Sequence, residues 1–110
     1  MGLIIENGYY LSDVYHYVDF HAGHKFEKLN YTAFLFLENM KVMKHGKSNN
    51  KIFNQNEFIT QGQYEVENDV VTITFGKGEQ FESKFKMVLI QKGQLMNDSG
   101  TIFEFTKWTE

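Results

Sequence analysis

Between Gly62 and Leu89 apolar and polar positions alternate with a period of two, interrupted twice. Gly62, Tyr64 and Val66 alternate with Gln61, Gln63, Glu65 and Glu67, and Glu67-Asn68-Asp69 breaks the run. Val71, Ile73 and Phe75 resume it until Gly76-Lys77-Gly78, after which Phe81, Phe85, Met87 and Leu89 alternate with Glu82, Lys84 and Lys86. A period of two marks a strand with one wet face, and breaks rich in Asn, Asp and Gly are turns. The stretch predicts a three-stranded antiparallel meander.

The flanks extend the pattern. Gly8-Tyr9-Tyr10-Leu11-Ser12 reads as a first short strand. From Asp13 to Asn30, Val14, His16, Val18 and Phe20 would share one strand face, with Tyr15 and Tyr17 on the other. Ala22-Gly23 ends that run, and His24 to Leu29 reads as one helical turn or a loop, making the segment a strand extension or a lid. Tyr31 to Leu37 is apolar on both faces, as in a strand covered on both sides. Glu38-Asn39-Met40-Lys41 is a tight turn in which Asn39 suits positive φ and Met40 stands where Gly is expected. A return strand follows to about His45, then a polar loop Lys47 to Lys51. Ile52 to Ile59 is a short helix or an irregular crossing. Lys92-Gly93 turns the chain into Gln94-Leu95-Met96, Asn97-Asp98-Ser99-Gly100 is a strong turn, and Ile102, Phe103 and Phe105 lie on a closing strand that ends near Trp108. The expectation is an all-β antiparallel meander of about eight strands. No repeat and no linker divides it, so residues 1–110 read as one domain.

Composition agrees with strands: 16% of the 110 residues are aromatic, including eleven Phe and six Tyr. The absence of Cys excludes disulfides, thiol catalysis and Cys-bound zinc. Net charge is −3, there is no Arg, and Lys is interleaved with Glu, which argues against nucleic acid. No apolar run reaches the roughly 18–20 residues of a membrane span. The opening Met1-Gly2-Leu3-Ile4-Ile5-Glu6 lacks the basic and long apolar parts of a leader, so a cytoplasmic location is expected, with a removed leader left open.

Phe34-Leu35-Phe36-Leu37-Glu38-Asn39-Met40-Lys41-Val42 resembles the L-x-F-x-x-N/D-G-x-V hairpin of small bacterial lipocalin-like domains. The resemblance continues through Gly62-x-Tyr64-x-Val66-x-x-Asp69-x-Val71-x-Ile73-x-Phe75, Gly93-x-Leu95 and Phe103-x-Phe105, covering residues 31–108. Met40 departs from the expected Gly, and the lipocalin Gly-x-Trp has only Gly8-Tyr9-Tyr10 to match it. The resemblance implies an eight-stranded lipocalin-like barrel that holds a small apolar ligand, and no catalytic residue.

Candidate chemistry is sparse. His16, His21 and His24, with Asp19 among them, are the one metal-like cluster. A strand puts His16 and Asp19 on opposite faces, so solvated histidines and no metal are expected. His45, alone at a strand end, is expected to be exposed. Gly46-Lys47-Ser48 mimics the end of a phosphate loop, but Lys41 stands where its first Gly belongs. Asn30-Tyr31-Thr32 and Asn97-Asp98-Ser99 fit the glycosylation pattern without a secretion signal. No nucleophile, base and oxyanion donors assemble from these motifs, so neither catalysis nor a cofactor is expected.

The aromatic stripe carries more. Phe36, Tyr64, Ile73, Phe85, Met87, Phe103 and Phe105 would point inward if the strands close, with Ser83 in the same phase. An eight-stranded barrel is filled by its own side chains or holds one small ligand, and rings of this bulk tilt the balance towards filling. Two functions follow. One is a non-catalytic binder of a small hydrophobic ligand, held by Phe36, Tyr64, Ile73, Ser83, Phe85, Met87 and Phe103. The other is a protein-interaction module with a filled core and surface rings such as Tyr10, Tyr15 and Tyr17. Either would be a monomer or a weak dimer.

Overall fold

Alternation and turn chemistry produce strands along most of the described residues. The computed structural model describes residues 2–12, 15–45 and 55–108. Its strands are β1 Gly8–Ser12, β2 Tyr15–His21, β3 His24–Asn30, β4 Ala33–Leu37, β5 Lys41–His45, β6 Phe58–Glu67, β7 Val70–Phe75, β8 Ser83–Gln91, β9 Gln94–Asn97 and β10 Ile102–Lys107. The described residues also hold one 3-10 turn, Gln55–Glu57, and no α-helix. Eight strands close an antiparallel barrel in the order β1-β10-β9-β8-β7-β6-β5-β4, while β2 and β3 pair only with each other.

The segment His24 to Leu29 is therefore a strand, not a helical turn. Ala22 and Gly23 take φ of 52° and 79°, the geometry of a two-residue hairpin loop, which sets His21 opposite His24 and Tyr15 opposite Asn30. This ribbon is inserted between β1 and β4 at one end of the barrel, here called the ribbon end. Its root is pinned by the Ser12 amide donating to the Thr32 carbonyl at 2.9 Å and the Thr32 amide donating to Ser12 Oγ at 2.8 Å. The polar loop and the phosphate-loop mimic within residues 46–54, and Val14, lie outside the described residues.

The opposite, turn end carries the tight hairpins. Asn39 and Met40 have φ of 62° and 59°, and Asn68 and Asp69 have 51° and 65°. Asn and Asp tolerate this region; Met does so only under strain. Leu3, Ile4 and Ile5 pack against the inner core from the N-terminal side.

Register separates the two barrel faces. Val42↔Gly62↔Phe75 and Tyr64↔Ile73↔Phe85 run across the inner face, and Gln63↔Thr74↔Lys84 across the outer. Gly62 is dictated by closeness: a Cβ there would sit 2.6 Å from both the Phe75 ring and the Thr74 carbonyl. A second apolar layer lies outside β1, β4 and β5, where Tyr9, Ala33, Leu35 and Phe58 are buried with Trp108 against them. That layer is why β4 is apolar on both faces. Phe58 joins it through a register shift between Lys44 and His45, which sets His45 opposite Phe58 and leaves Ile59 exposed.

Candidate functional site

The inner face collects most of the residues singled out by phase. Phe36, Tyr64, Ile73, Met87 and Phe103 are buried in one cluster with Tyr10, Phe34, Val42, Val71, Leu89 and Leu95, and Phe85 and Phe105 pack half-buried against it. The rings touch: Phe36 meets Tyr64 edge-on at 5.0 Å between centroids, and Phe34 lies 5.6 Å from Phe103 and 5.7 Å from Phe85. Ser83 stands apart. It opens β8 opposite Phe75 and is exposed, so its hydroxyl lies at the rim rather than in the core.

Two rings were misplaced by pattern alone. Tyr10, expected on the surface, is fully buried; its hydroxyl accepts the Ile4 amide at 3.1 Å, and burial raises its pKa. Phe34, absent from the inward stripe, is the hub of the ribbon-end rings, stacked on Phe75 at 6.3 Å as Phe75 is on Phe85 at 6.2 Å. Its signal was available, since Phe34 shares the phase of Phe36. The side chains of Tyr15 and Tyr17 lie outside what the structure describes, as do those of His16, Asp19 and His21. Among the described residues no three His, Cys, Asp or Glu are placed to hold a metal ion.

His45 is half-buried, contrary to expectation. Its ring lies 5.3 Å from that of Tyr31 and meets Phe58 edge-on at 5.5 Å, and the Tyr31 hydroxyl lies 3.4 Å from both imidazole nitrogens. Burial lowers the His45 pKa, and the Glu57 carboxylate works against that shift. Burial, with Glu57 and Tyr9 adding to it, pushes Tyr31 up to about 12. Asn97 is equally committed to structure: its Oδ1 accepts the amides of Ser99 and Thr101 at 3.0 and 2.9 Å, fixing the β9–β10 turn.

The outer surface offers a different site. An open cleft of about 710 Å³ lies at the turn end, lined by Met40, Val66 and Val70 with Glu65, Glu67, Asn68, Thr72 and Lys86. Met40 is 54% exposed and Val66 43%. The cleft is bounded by the Asn39-Met40 turn and the β6–β7 hairpin, and both are tied down. The Tyr64 amide donates to the Met40 carbonyl at 2.9 Å, and the Leu89 amide to the Asp69 carbonyl at 2.7 Å. The lining thus combines two valines and a flexible thioether with two carboxylates and one ammonium. Nothing in the alternation pointed here; the one sequence signal was Met in a turn position that asks for Gly.

The described residues contain no helix long and apolar enough to cross a membrane. Comparison with protein-family models, with curated proteins and with solved structures found no match to this chain.

Proposed function

We propose that this protein is a non-catalytic protein-interaction module whose partner docks in the Met40–Val66–Val70 cleft. The observation that carries it is the Met40 turn: a non-glycine residue held at φ 59° with its side chain 54% exposed. Strain of this kind persists where surrounding structure enforces it, and it clusters at sites of function. An exposed Met adapts to varied apolar partners. Glu65 and Glu67 favour an apolar anchor flanked by positive charge. A two-dimensional NMR titration with Lys-Phe-Lys and Glu-Phe-Glu amides tests this. Shifts at Met40, Val66 and Glu65 with the basic peptide alone are expected; equal response to both peptides, or response elsewhere, removes the proposal.

A second reading, a lipocalin-like binder of a small hydrophobic ligand, is favoured by the half-buried Phe75 and Phe85 stacked beside Phe34 at the ribbon end. A thermal-shift screen with fatty acids, sterols and haem-like rings decides it. The reading requires a rise in Tm with at least one compound, and it is discarded if no compound shifts the wild type.

A further inference from the structure

The tip of the β2–β3 ribbon has the chemistry that the cleft asks for. Phe20 is 72% exposed and stands opposite Lys25 in the pairing register, with exposed Ala22, Gly23 and His24 between them along the chain. A large ring beside an ammonium is thus offered on a slim two-residue loop. The cleft offers Met40, Val66 and Val70 beside Glu65 and Glu67, with Lys86 on its lining as the one cation. Its volume falls within the roughly 300–1,000 Å³ of sites that accept ligand-sized groups.

The two surfaces lie at opposite ends of the same molecule. The ribbon springs from Ser12 and returns at Thr32 at the ribbon end, and it pairs with no barrel strand. The Met40 turn marks the turn end. A tip at one end and its acceptor at the other suit two copies better than one.

We infer that the ribbon tip of one copy docks in the Met40–Val66 cleft of a second copy, with Phe20 as the apolar anchor and Lys25 directed to the partner's Glu65 and Glu67. This rests on the cleft being a docking site, as proposed above, and names its occupant. Such a contact is heterologous: each copy uses its tip on one neighbour and its cleft on another. It propagates into chains, or closes into a ring if the rotation allows. Exposed ion pairs add little energy, so Phe20 and Met40 carry most of the contact and association is weak.

Head-to-tail pairing has a signature that symmetric dimers lack. Wild-type protein in sedimentation velocity, from micromolar to millimolar, is expected to rise in mass beyond two chains. Phe20→Ser, with a defective tip, and Met40→Asp, with a defective cleft, should each remain single chains by themselves. Mixed in equal amounts, one intact tip meets one intact cleft, and a two-chain complex that cannot grow is expected. Asp tolerates positive φ, so the turn survives, and near-ultraviolet circular dichroism reports the barrel in each variant. Val66→Lys serves as a second cleft variant with the same expected behaviour. Wild type that stays a single chain throughout, variants that associate like wild type, or a mixture that does not pair each overturns the inference. If Lys-Phe-Lys amide still shifts Met40 and Val66 in a wild type that does not self-associate, the cleft stands as a docking site and only its occupant was misassigned.

Discussion

The Tyr64 hydroxyl donates to the Leu37 carbonyl at 2.9 Å, tying an inner-face ring of β6 to the strand end that leads into the Asn39-Met40 turn. Tyr64→Phe removes this donor and leaves the carbonyl partly unsatisfied, which costs about 1–2 kcal/mol. A lower urea midpoint at unchanged m-value is the expected result, with larger NMR line changes at Leu37 and Met40 than at Leu95.

Met40→Gly should stabilise the fold. A left-handed conformation costs a non-glycine residue about 1–2 kcal/mol, and the greater unfolded-state freedom of Gly takes back roughly 0.5–1 kcal/mol. The denaturation midpoint should therefore rise slightly while the cleft loses its thioether and binds more weakly. A falling midpoint would mean that the turn holds Met40 without strain.

Core truncations should rank by burial. Phe36 is 1% exposed and touches Tyr10, Phe34 and Tyr64, so Phe36→Ala is expected to cost about 3–5 kcal/mol. Phe85 shares the inner phase but is half-buried, so Phe85→Ala should cost less. Glu82 is exposed and accepts one hydrogen bond from the Gly78 amide at 3.0 Å, so Glu82→Ala should lie within about 0.5 kcal/mol of neutral. Chemical denaturation of the three variants checks the order.

Stability should fall in mild acid because of His45. Burial depresses its folded pKa below the ordinary 6.5. Between the two values the unfolded chain binds the proton first, so stability drops as pH falls through 6.5 and levels off below the folded value. His45→Gln should flatten this part of a stability–pH profile between pH 7 and 5; an unchanged slope would assign it to other groups.

Much of this fold was legible because β6, β7 and the first half of β8 largely alternate and their breaks are Asn-Asp or Gly-rich. Even the double-sided β4 could be read from Ala33 to Leu37. Three features were hidden for physical reasons. A bulge has no mark in an alternating pattern, so Phe58 and His45 could not be placed in the outer layer. His24 to Asn30 mixes polar and apolar residues without a clean period, and the strand exists because Ala22-Gly23 folds it back on β2. Tyr10 carries a polar tip that reads as surface until the Ile4 amide is seen to satisfy it. As for the candidate site, the inner stripe was readable from phase, whereas the cleft joins two turns distant in sequence and only Met40 hinted at it.

The barrel is not equally closed all round. β1 meets β10 over five residue pairs, from Gly8↔Lys107 to Ser12↔Phe103, but meets β4 over two, Tyr10↔Phe34 and Leu11↔Ala33. This short ladder is a seam, and a local opening of the cylinder starts where the fewest hydrogen bonds must break. Tyr9 from one side of the seam and Leu35 from the other sit under Phe58 and Trp108 in the same outer layer. That layer is a clasp, and it governs how often the barrel opens more than what shape it has. Loosening it, as by Trp108→Ala, should let the β1 and β4 amides exchange with solvent much faster while those of β7 and β8 keep their protection.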